Sequence, residues 1–342
     1  MIAAGSLTLA SLAVVSLTGQ TPAAASKTKT GSAAKTGPAI PRTSWGDPNL
    51  QGTWFVLYDE PLERSAANAN KEFLTDAEVE AANEAKGINP GRNTRAKGAQ
   101  DVSGAYNAVF NSVLRTGRRT SMIIDPPDGR IPPLTAEARA RQGANGGRGG
   151  PLGLGVGGTV NDNPETVPQN PRCLGVPMPF LPLNTLFAQG TVMQIVQSPK
   201  SVGIYMEDDH AGGGNRIIYM DGRPHAPPDL TFFLGDSRGH WEGNTLVVET
   251  TNFSQGFRGS DIKTYKMVEH ITRTGANSLR REITFDDPHT WTKPWTVRID
   301  MGKDADDAKH MIFDSACHEG NYGLTGLLVG TRREEQAAGK KK

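Results

Sequence analysis

The 342-residue sequence lacks several features that whole classes of protein require. Neither sign of charge is in excess, because 37 lysine and arginine residues stand against 36 aspartate and glutamate residues. This balance excludes the broad positive field that nucleic acids and anionic membranes attract. Aromatic residues are few, at 6%, but a hydrophobic fraction of 36% is ordinary for a folded soluble chain, so disordered and fibrous classes are also excluded.

No apolar run in the sequence is long enough to cross a membrane. The run from Leu7 to Leu17 is broken by serine and threonine and is shorter than the ~20 residues that a span needs. Small alanine residues follow at 23–25, so residues 1–25 are predicted to be a cleaved signal peptide, although no basic residue precedes the run. We expect a periplasmic or secreted protein without a membrane span, in which residues 26–44 form a flexible leader.

Cysteine is scarce as well. The two cysteines are Cys173 and Cys317, and an exported chain with an even number of cysteines usually pairs them. We therefore expect a disulfide bond between them. In the chain-entropy description of unfolding, such a long closed loop stabilises the fold by roughly 4–5 kcal/mol. The alternative is a pair of buried free thiols.

Glycine and proline, in contrast, are abundant, with 40 and 23 residues, and they favour turns and loops over long helices. Residues 45–338 are predicted to form one β-rich domain, in which residues 143–190 form a long loop rich in glycine and proline. Strands are predicted at 50–58, 120–124, 192–197, 201–206, 216–220, 240–242, 245–250, 263–272, 279–285, 295–301 and 310–316. Helices are predicted at 77–86, 135–142 and 324–336, and a capping box of Thr75 and Glu78 begins the first of them.

The order of these strands predicts the fold class. The pair Gly243-Asn244 is typical of a two-residue hairpin turn between two of the strands. A meander of this size tends to close on itself, because closure leaves no exposed edge. We expect an all-β fold, namely an antiparallel meander closed into a lipocalin-like barrel, with one or two short helices and long irregular loops. The alternative is a β-sandwich.

Four segments carry distinctive motifs. They are residues 119–130, 221–225, 235–250 (Gly-Asp-Ser-Arg-Gly-His-Trp-Glu-Gly-Asn-Thr-Leu-Val-Val-Glu-Thr) and 317–322 (Cys-His-Glu-Gly-Asn-Tyr). On these motifs, most of the chain after residue 44 resembles a family of exported bacterial proteins that is common in acidobacteria and sphingomonads. More loosely, the Gly-x-Trp start of the first strand and the hairpin motif are similar to lipocalin-like barrel proteins. The resemblance implies export and a β-rich fold, and it implies no particular activity.

Two motifs of known enzymes occur without their usual context. Residues 235–239 match Gly-x-Ser-x-Gly, and Asp287 and His318 follow in the order of an α/β-hydrolase triad. That motif requires a helix directly after the serine, whereas a hairpin is predicted here. We therefore interpret Ser237 as part of a turn. The match of residues 153–158 to a dinucleotide-binding fingerprint is interpreted as a glycine-rich loop.

Polar residues in predicted loops and at strand ends are better candidates for catalysis. His225 lies between prolines, in a stiff loop that can hold an imidazole for acid–base chemistry. Asp236 and Arg238 lie two positions apart on an extended segment, so they project to one side and can orient a substrate hydroxyl or carboxylate. His318 and Glu319 directly follow the predicted disulfide and form a candidate proton-transfer pair. The alternative for His225 is an ordinary surface histidine. For Asp236 and Arg238 it is a turn salt bridge, and for His318 and Glu319 it is a capped turn.

Further residues are candidates for binding a substrate, namely His210, His289, Trp241 and Trp291. A turn alone explains the neighbours of His289 but not the histidine, and exposed tryptophans stack on sugars or aromatic rings. A core position is the alternative for the tryptophans. Glu207, Asp209 and His210 are candidate ligands of a divalent metal, because carboxylates with an imidazole suit calcium, manganese or zinc. A solvated acidic loop is the alternative there.

Two functions are consistent with these residues. The first is an exported enzyme of lyase or hydrolase type that acts on a small glycoside or aromatic compound, with His225 or His318 as acid or base. The residues that would orient its substrate are Asp236, Arg238 and Glu319. The alternative is a periplasmic β-barrel that binds a small molecule without catalysis. Neither function involves nucleic acid, no cofactor is predicted beyond a candidate divalent metal, and no oligomeric state is predicted.

Overall fold

The computed structural model describes residues 40–85, 114–144, 163–164, 167, 172–173, 192–206, 214–254, 256–303, 318–337 and 339. The strands are β1 (Gly52–Val56), β2 (Tyr58–Asp59), β3 (Arg115–Thr116), β4 (Ile123–Asp125), β5 (Val192–Ser198), β6 (Ser201–Met206), β7 (Gly214–Tyr219), β8 (Asp236–Glu242), β9 (Thr245–Thr251), β10 (Lys266–Arg273), β11 (Ser278–Asp286) and β12 (Trp295–Gly302). The α-helices are α1 (Asp76–Ala85), α2 (Ala136–Ala144) and α3 (Gly323–Ala337). None of the helices in the described part of the chain combines the length and the apolar character that a membrane span needs.

Nine of the strands close into a barrel. Their order around the barrel is β1, β5, β6, β7, β8, β9, β10, β11 and β12, and β12 pairs again with β1 through Phe55↔Gly302 and Val56↔Met301. The predicted all-β barrel is therefore confirmed. β4 continues the sheet along the other half of β12, and β2 and β3 form a separate parallel pair.

One pair of barrel strands departs from the predicted antiparallel meander. β7 and β8 run parallel, with Ile218 opposite Ser237 and Tyr219 opposite Arg238. The physical reason is closure, because strand direction cannot alternate throughout a closed ring that has an odd number of strands. A parallel pair also needs a connection longer than a hairpin. Residues 220–235 provide it, and they carry His225.

Alternating burial explains why these segments form barrel strands. In β12, Trp295, Val297 and Ile299 are buried, whereas Thr296 and Arg298 between them are partly exposed. β10 and β11 alternate in the same way along their whole lengths. Because side chains of a strand point to opposite faces in turn, each of these strands contributes one mainly apolar row to the interior.

The interior of the barrel is filled by side chains. Trp54, Phe285 and Trp295 are fully buried, and the rings of Phe285 and Trp295 stack with their centroids 4.2 Å apart. Apolar side chains from the other barrel strands complete this core, among them Met193, Ile195, Val202, Ile204, Ile218, Leu246, Val248, Met267, Ile271 and Ile283. Burial of each such side chain contributes about 1.5–3 kcal/mol, so this core is the main source of stability.

A charged cluster lies within this apolar interior. Glu269 on β10 is fully buried and pairs with Arg216 of β7 and Arg281 of β11, and its Oε1 lies 2.7 Å from Arg281 Nη2. Burial alone would raise the pKa of Glu269, but the two neighbouring guanidinium groups outweigh burial and lower the pKa to about 2. The carboxylate therefore stays ionised and compensates two buried positive charges.

The helix starts follow local capping chemistry. Thr75 N donates to Glu78 Oε2 at 2.8 Å, and Glu78 N donates to Thr75 Oγ1 at 3.3 Å, so the predicted capping box of α1 is confirmed. Thr135 caps α2, because its Oγ1 accepts a hydrogen bond from Ala138 N at 3.0 Å. These caps satisfy backbone N–H groups that the first turn of a helix leaves without partners.

Candidate functional site

Three of the predicted catalytic residues meet on the outer face of the barrel. His225 Nδ1 lies 3.1 Å from Asp236 Oδ2, and Arg238 Nη1 donates to Asp236 Oδ1 at 2.5 Å. Asp236 and Arg238 project to the same side of β8, as their spacing predicts. Arg238 Nε also donates to Pro224 O at 3.0 Å, which ties the connection that carries His225 to β8.

Asp236 is the centre of this cluster. Burial would raise its pKa, but hydrogen bonds from the Ala226 backbone N, from Arg238 and from His225 outweigh burial and lower the pKa. The carboxylate therefore stays ionised near neutral pH. An ionised aspartate on Nδ1 fixes the orientation of an imidazole, which is the arrangement that histidine acid–base pairs use.

A second carboxylate faces the other nitrogen of this imidazole. Glu249 lies opposite Arg238 in the register of β9 and β8, and its Oε1 is 3.3 Å from His225 Nε2. Its Oε2 is 3.5 Å from Lys266 Nζ. Both ring nitrogens of His225 thus face carboxylates, so the nitrogen that a substrate would need is already engaged. The contacts therefore favour a structural role for His225, in which it holds the connection between β7 and β8 against the barrel wall.

Replacing His225 by Ala is expected to loosen this connection without unfolding the barrel. The change removes partly exposed charge-assisted contacts, which contribute about 1 kcal/mol. Amide hydrogen exchange should therefore accelerate at residues 221–230 and stay unchanged in β9. His240→Ala is the matched control, because it removes an exposed histidine–carboxylate pair with Glu242 (3.0 Å) within β8. Unchanged hydrogen exchange at residues 221–230 in His225→Ala would show that His225 does not hold this connection in place.

His318 and Glu319 do not join this cluster. Both are exposed, in the turn that precedes α3, where Asn321 N donates to His318 O at 3.4 Å. In the ranges that the structure describes, no hydrogen bond or ion pair connects them to His225 or Asp236. The predicted catalytic residues are therefore split between two places on the molecule.

The predicted substrate-binding residues have different environments. Trp291 is 2% exposed and meets Trp295 edge to face, with ring centroids 5.5 Å apart. It is therefore a core residue, which is the alternative to stacking on a substrate. Trp241 is partly buried and packs against the core. His289 is exposed, beside Asp261. The remaining candidates, which include the predicted metal ligands, lie outside the described residues; they are Glu207, Asp209 and His210.

The predicted disulfide is only half described. Cys317 lies outside the described residues, as do the predicted strand at 310–316 and most of the 143–190 loop. Cys173 is described, and Asn321 Nδ2 donates to its Sγ at 2.8 Å, so the turn before α3 lies beside Cys173. The pairing of Cys173 with Cys317 stays a prediction.

Ser237 is not an exposed nucleophile. It lies in β8, not in the predicted turn, because residues 236–239 continue the ladder with β9. Its side chain faces the barrel interior with 1% exposure, and its Oγ lies 3.0 Å from Thr250 Oγ1. Asp287 is also buried and accepts hydrogen bonds from Asp261 N and His289 N. These positions exclude the hydrolase interpretation of the Gly-x-Ser-x-Gly match, in agreement with the sequence context.

A pocket opens at a place that the sequence analysis did not single out. It is a small depression, partly open to solvent, and is lined by Val56, Tyr58, Glu60, Met122, Arg298, Ile299 and Asp300. The pocket lies where β12 changes neighbours, since Leu57 N donates to Asp300 O at 3.2 Å and Arg298 N donates to Met122 O at 2.9 Å. The residue after β1 and the residue before β4 thus bond to nearby positions of β12, and both of these segments line the pocket.

Glu60 is the titratable group of interest in this pocket. Its side chain is partly buried, and its Oε1 accepts a hydrogen bond from Arg119 N at 3.2 Å. Burial raises the pKa of Glu60 to about 7, and the hydrogen bond and charge of Arg119 oppose this shift without cancelling it. Glu60 therefore exchanges a proton near neutral pH, which an ordinary glutamate does not do.

The opposite wall of the pocket carries a fixed ion network. Arg298 Nη2 donates to Asp300 Oδ2 at 2.8 Å, and Arg280 Nε donates to Asp300 Oδ1 at 3.1 Å. These three residues point outward from β11 and β12 between buried neighbours. A polar wall facing an apolar floor is typical of pockets that orient small molecules.

Comparison with known proteins adds no assignment. The chain matches no protein-family model, and no curated protein matches it in sequence. The resemblance to exported bacterial proteins stays a prediction, so function has to be inferred from the geometry of the sites.

Proposed function

We propose that the protein is an exported enzyme of hydrolase or lyase type that uses Glu60 for acid–base catalysis on a small glycoside or aromatic compound. The observation that carries the proposal is the place of Glu60, a partly buried carboxyl group in the wall of the pocket beside β12. Export is supported by the signal-like segment at residues 1–25.

The floor of the pocket is apolar. Val56, Met122 and Ile299 are buried residues that line it, and they offer an apolar contact to the edge of a sugar or an aromatic ring. Arg298 is held in place by Asp300 and offers hydrogen-bond donors to substrate hydroxyls.

The pKa of Glu60 suits proton transfer at neutral pH. A group with a pKa of about 7 populates both protonation states there, so it can give a proton to a leaving-group oxygen or take one from water. An ordinary glutamate is almost fully ionised at that pH and is a poor acid. Glu60 thus takes the acid–base role that the sequence suggests for His225, which lies on the other side of the barrel.

The alternative of a carrier without catalysis has less support. A carrier would hold its ligand inside the barrel, but side chains such as Trp54, Phe285 and Trp295 occupy the interior in the described part of the chain. The pocket beside β12 borders that core through Val56, Met122 and Ile299, and its small size fits a reacting group better than a stored ligand.

Replacing Glu60 by Gln is expected to abolish a carboxyl titration near pH 7 and to slow catalysis about 100-fold. Side-chain ¹³C NMR of the full chain reads the titration directly. Activity is measured on para-nitrophenyl glycosides and aryl esters as probes, with a wild-type pH profile that inflects near 7. Glu80→Gln is the matched control, because Glu80 is exposed on α1.

The same variant has a stability signature that needs no substrate. The folded protein holds the Glu60 proton more tightly than the unfolded chain, so this contribution to stability is present below about pH 4.5 and is lost as pH rises through about 7. Glu60→Gln should remove that loss, and Glu80→Gln should retain it. Absence of any carboxyl titration near pH 7 in the wild type, or full activity of Glu60→Gln, would refute the proposal.

A further inference from the structure

Three side chains with ligand atoms meet beyond the end of β11. They come from separate parts of the chain, with Glu137 in the first turn of α2, Asp261 in the turn before β10 and His289 in the turn after β11. His289 Nδ1 lies 3.5 Å from Asp261 Oδ2 and 3.8 Å from Glu137 Oε1, and all three ligand atoms lie within 4.8 Å of one another. We infer that this cluster binds a divalent transition-metal ion of the zinc or manganese type.

The spacing of the ligand atoms suits such an ion. Neighbouring ligands of a tetrahedral zinc, each about 2.0–2.1 Å from the ion, lie about 3.3 Å from each other. The two distances from His289 Nδ1 need to shorten by only a few tenths of an ångström to reach this value. One imidazole with two carboxylates leaves a coordination position for water, as catalytic zinc sites do, whereas Ca²⁺ prefers six to eight oxygen ligands.

A buried carboxylate positions two of the three ligands. Asp287 is 1% exposed, and its Oδ2 accepts a hydrogen bond from Asp261 N at 2.7 Å. Its Oδ1 accepts hydrogen bonds from His289 N at 3.1 Å and from Thr264 Oγ1 at 2.7 Å. The two turns that carry Asp261 and His289 are therefore fastened to one another through Asp287, so their side chains start close to a binding geometry.

The third ligand is tied to the same turn through the start of α2. Thr135, the cap of this helix, donates from Oγ1 to His289 O at 2.8 Å, and its backbone N donates to Thr290 O at 2.9 Å. Glu137 follows two residues later, in the first helical turn. The position of Glu137 relative to His289 is thus set by backbone contacts and does not depend on the ion pair between their side chains.

The charge around the cluster favours a cation. Glu137 and Asp261 are the carboxylates of the cluster, the buried carboxylate of Asp287 lies behind them on the backbone of Asp261 and His289, and Arg141 is the base, with Nη1 2.9 Å from Glu137 Oε1. Three carboxylates outweigh one guanidinium when the imidazole is neutral, as it is when it binds a metal. Arg141 competes for Glu137, so the ion is expected to displace this contact or to use the other carboxylate oxygen.

Equilibrium dialysis of the metal-free full chain against ZnCl₂, followed by elemental analysis, tests the inference. We expect His289→Gln and Asp261→Asn each to bind one equivalent of Zn²⁺ less than the wild type, or to bind it at least tenfold more weakly. His240→Gln is the matched control, since His240 forms a surface pair with Glu242 (3.0 Å) that has no third ligand within the described ranges. It should bind as much Zn²⁺ as the wild type.

A thermal melt gives a second measurement on the same proteins. Zn²⁺ should raise the melting temperature of the wild type and of His240→Gln, but not that of His289→Gln, because a ligand of the folded state stabilises it. Should either variant fail to fold, Glu137→Gln, on the exposed side of α2, replaces it. Equal stoichiometry and affinity in the wild type and in His289→Gln would overturn the inference. The site shares no residue with the Glu60 pocket, so this outcome is independent of the proposed catalytic function.

Discussion

Replacing Glu269 by Gln is expected to lower the free energy of unfolding by about 3–5 kcal/mol. The variant keeps the shape of the side chain but removes the negative charge between Arg216 and Arg281 inside the barrel. Both guanidinium groups are almost fully buried, and Arg216 Nε and Nη2 have no hydrogen-bond partner among the described residues. Two buried positive charges would then repel each other in a medium that water does not screen. Urea unfolding followed by circular dichroism measures the loss.

Two controls separate this charge effect from a general effect of mutating the sheet. Glu282→Gln changes the same residue type on the neighbouring strand β11, but on its outward face, and should cost less than about 1 kcal/mol. A triple variant with methionine at 216, 269 and 281 removes all the charges together and should recover most of the stability that Glu269→Gln loses. A loss below about 1 kcal/mol in Glu269→Gln would show that the barrel interior tolerates Arg216 and Arg281 without the carboxylate between them.

The same carboxylate sets the acid limit of the fold. The pKa of Glu269 is about 2 in the folded protein and 4.5 in the unfolded chain, so its contribution to stability is present above about pH 4.5 and is lost as pH falls towards 2. Glu60 acts in the opposite direction, because its raised pKa removes stability as pH rises through about 7. Glu269→Gln should flatten the acid side of the stability profile only, and Glu60→Gln the neutral side only.

The sequence predicts the strands well because their signal is local. Trp295, Val297, Ile299 and Met301 alternate with polar residues, and the structure buries this row in the barrel. Thr75 and Glu78 mark the start of α1 through contacts between residues three apart. Each of these features depends on a few neighbouring residues, so periodicity and capping chemistry suffice to find it.

The buried charges and the parallel pair could not be found in this way. Glu269 occupies an inward position of β10, and only its partners on β7 and β11, 53 and 12 residues away in the chain, make that position tolerable. The parallel pairing of β7 with β8 depends on closure of the whole barrel. Such features arise from long-range pairing, about which a single sequence carries little local signal.

The candidate sites also differ in whether they depend on local or on long-range features of the chain. The spacing of Asp236 and Arg238 predicts that they project to one side of an extended segment, and in the structure they form an ion pair there. The sequence does not indicate Glu60, because its environment is made by Arg119 and by β12, both distant in sequence, and a glutamate before a proline is unremarkable by itself. A carboxylate just beyond the end of a strand is only weak evidence of function. The folded surroundings of Glu60 are what make it a candidate acid.

Replacing Gly235 by Ala is expected to destabilise the protein by about 2–5 kcal/mol, whereas Gly243→Ala should cost only about 1–2 kcal/mol. Both glycines have a positive φ, +72° and +60°, so an added Cβ strains the backbone to a similar degree at each. At Gly235 the Cβ would lie 2.5 Å from Thr250 Cγ2 and 2.8 Å from Phe253 Cε1, and both of those residues are fully buried. At Gly243 nothing lies within 4 Å.

The difference between the two variants therefore measures the crowding behind β8, and urea unfolding of both proteins gives it directly. Gly235 immediately precedes Asp236. A backbone shift that relieves the clash of the added Cβ should therefore also move the Asp236 carboxylate away from His225. Hydrogen exchange at residues 221–230 should then accelerate in Gly235→Ala, as in His225→Ala, and stay unchanged in Gly243→Ala. Equal losses of stability in the two glycine variants would mean that Thr250 and Phe253 yield easily, and that backbone strain alone explains the glycine at position 235.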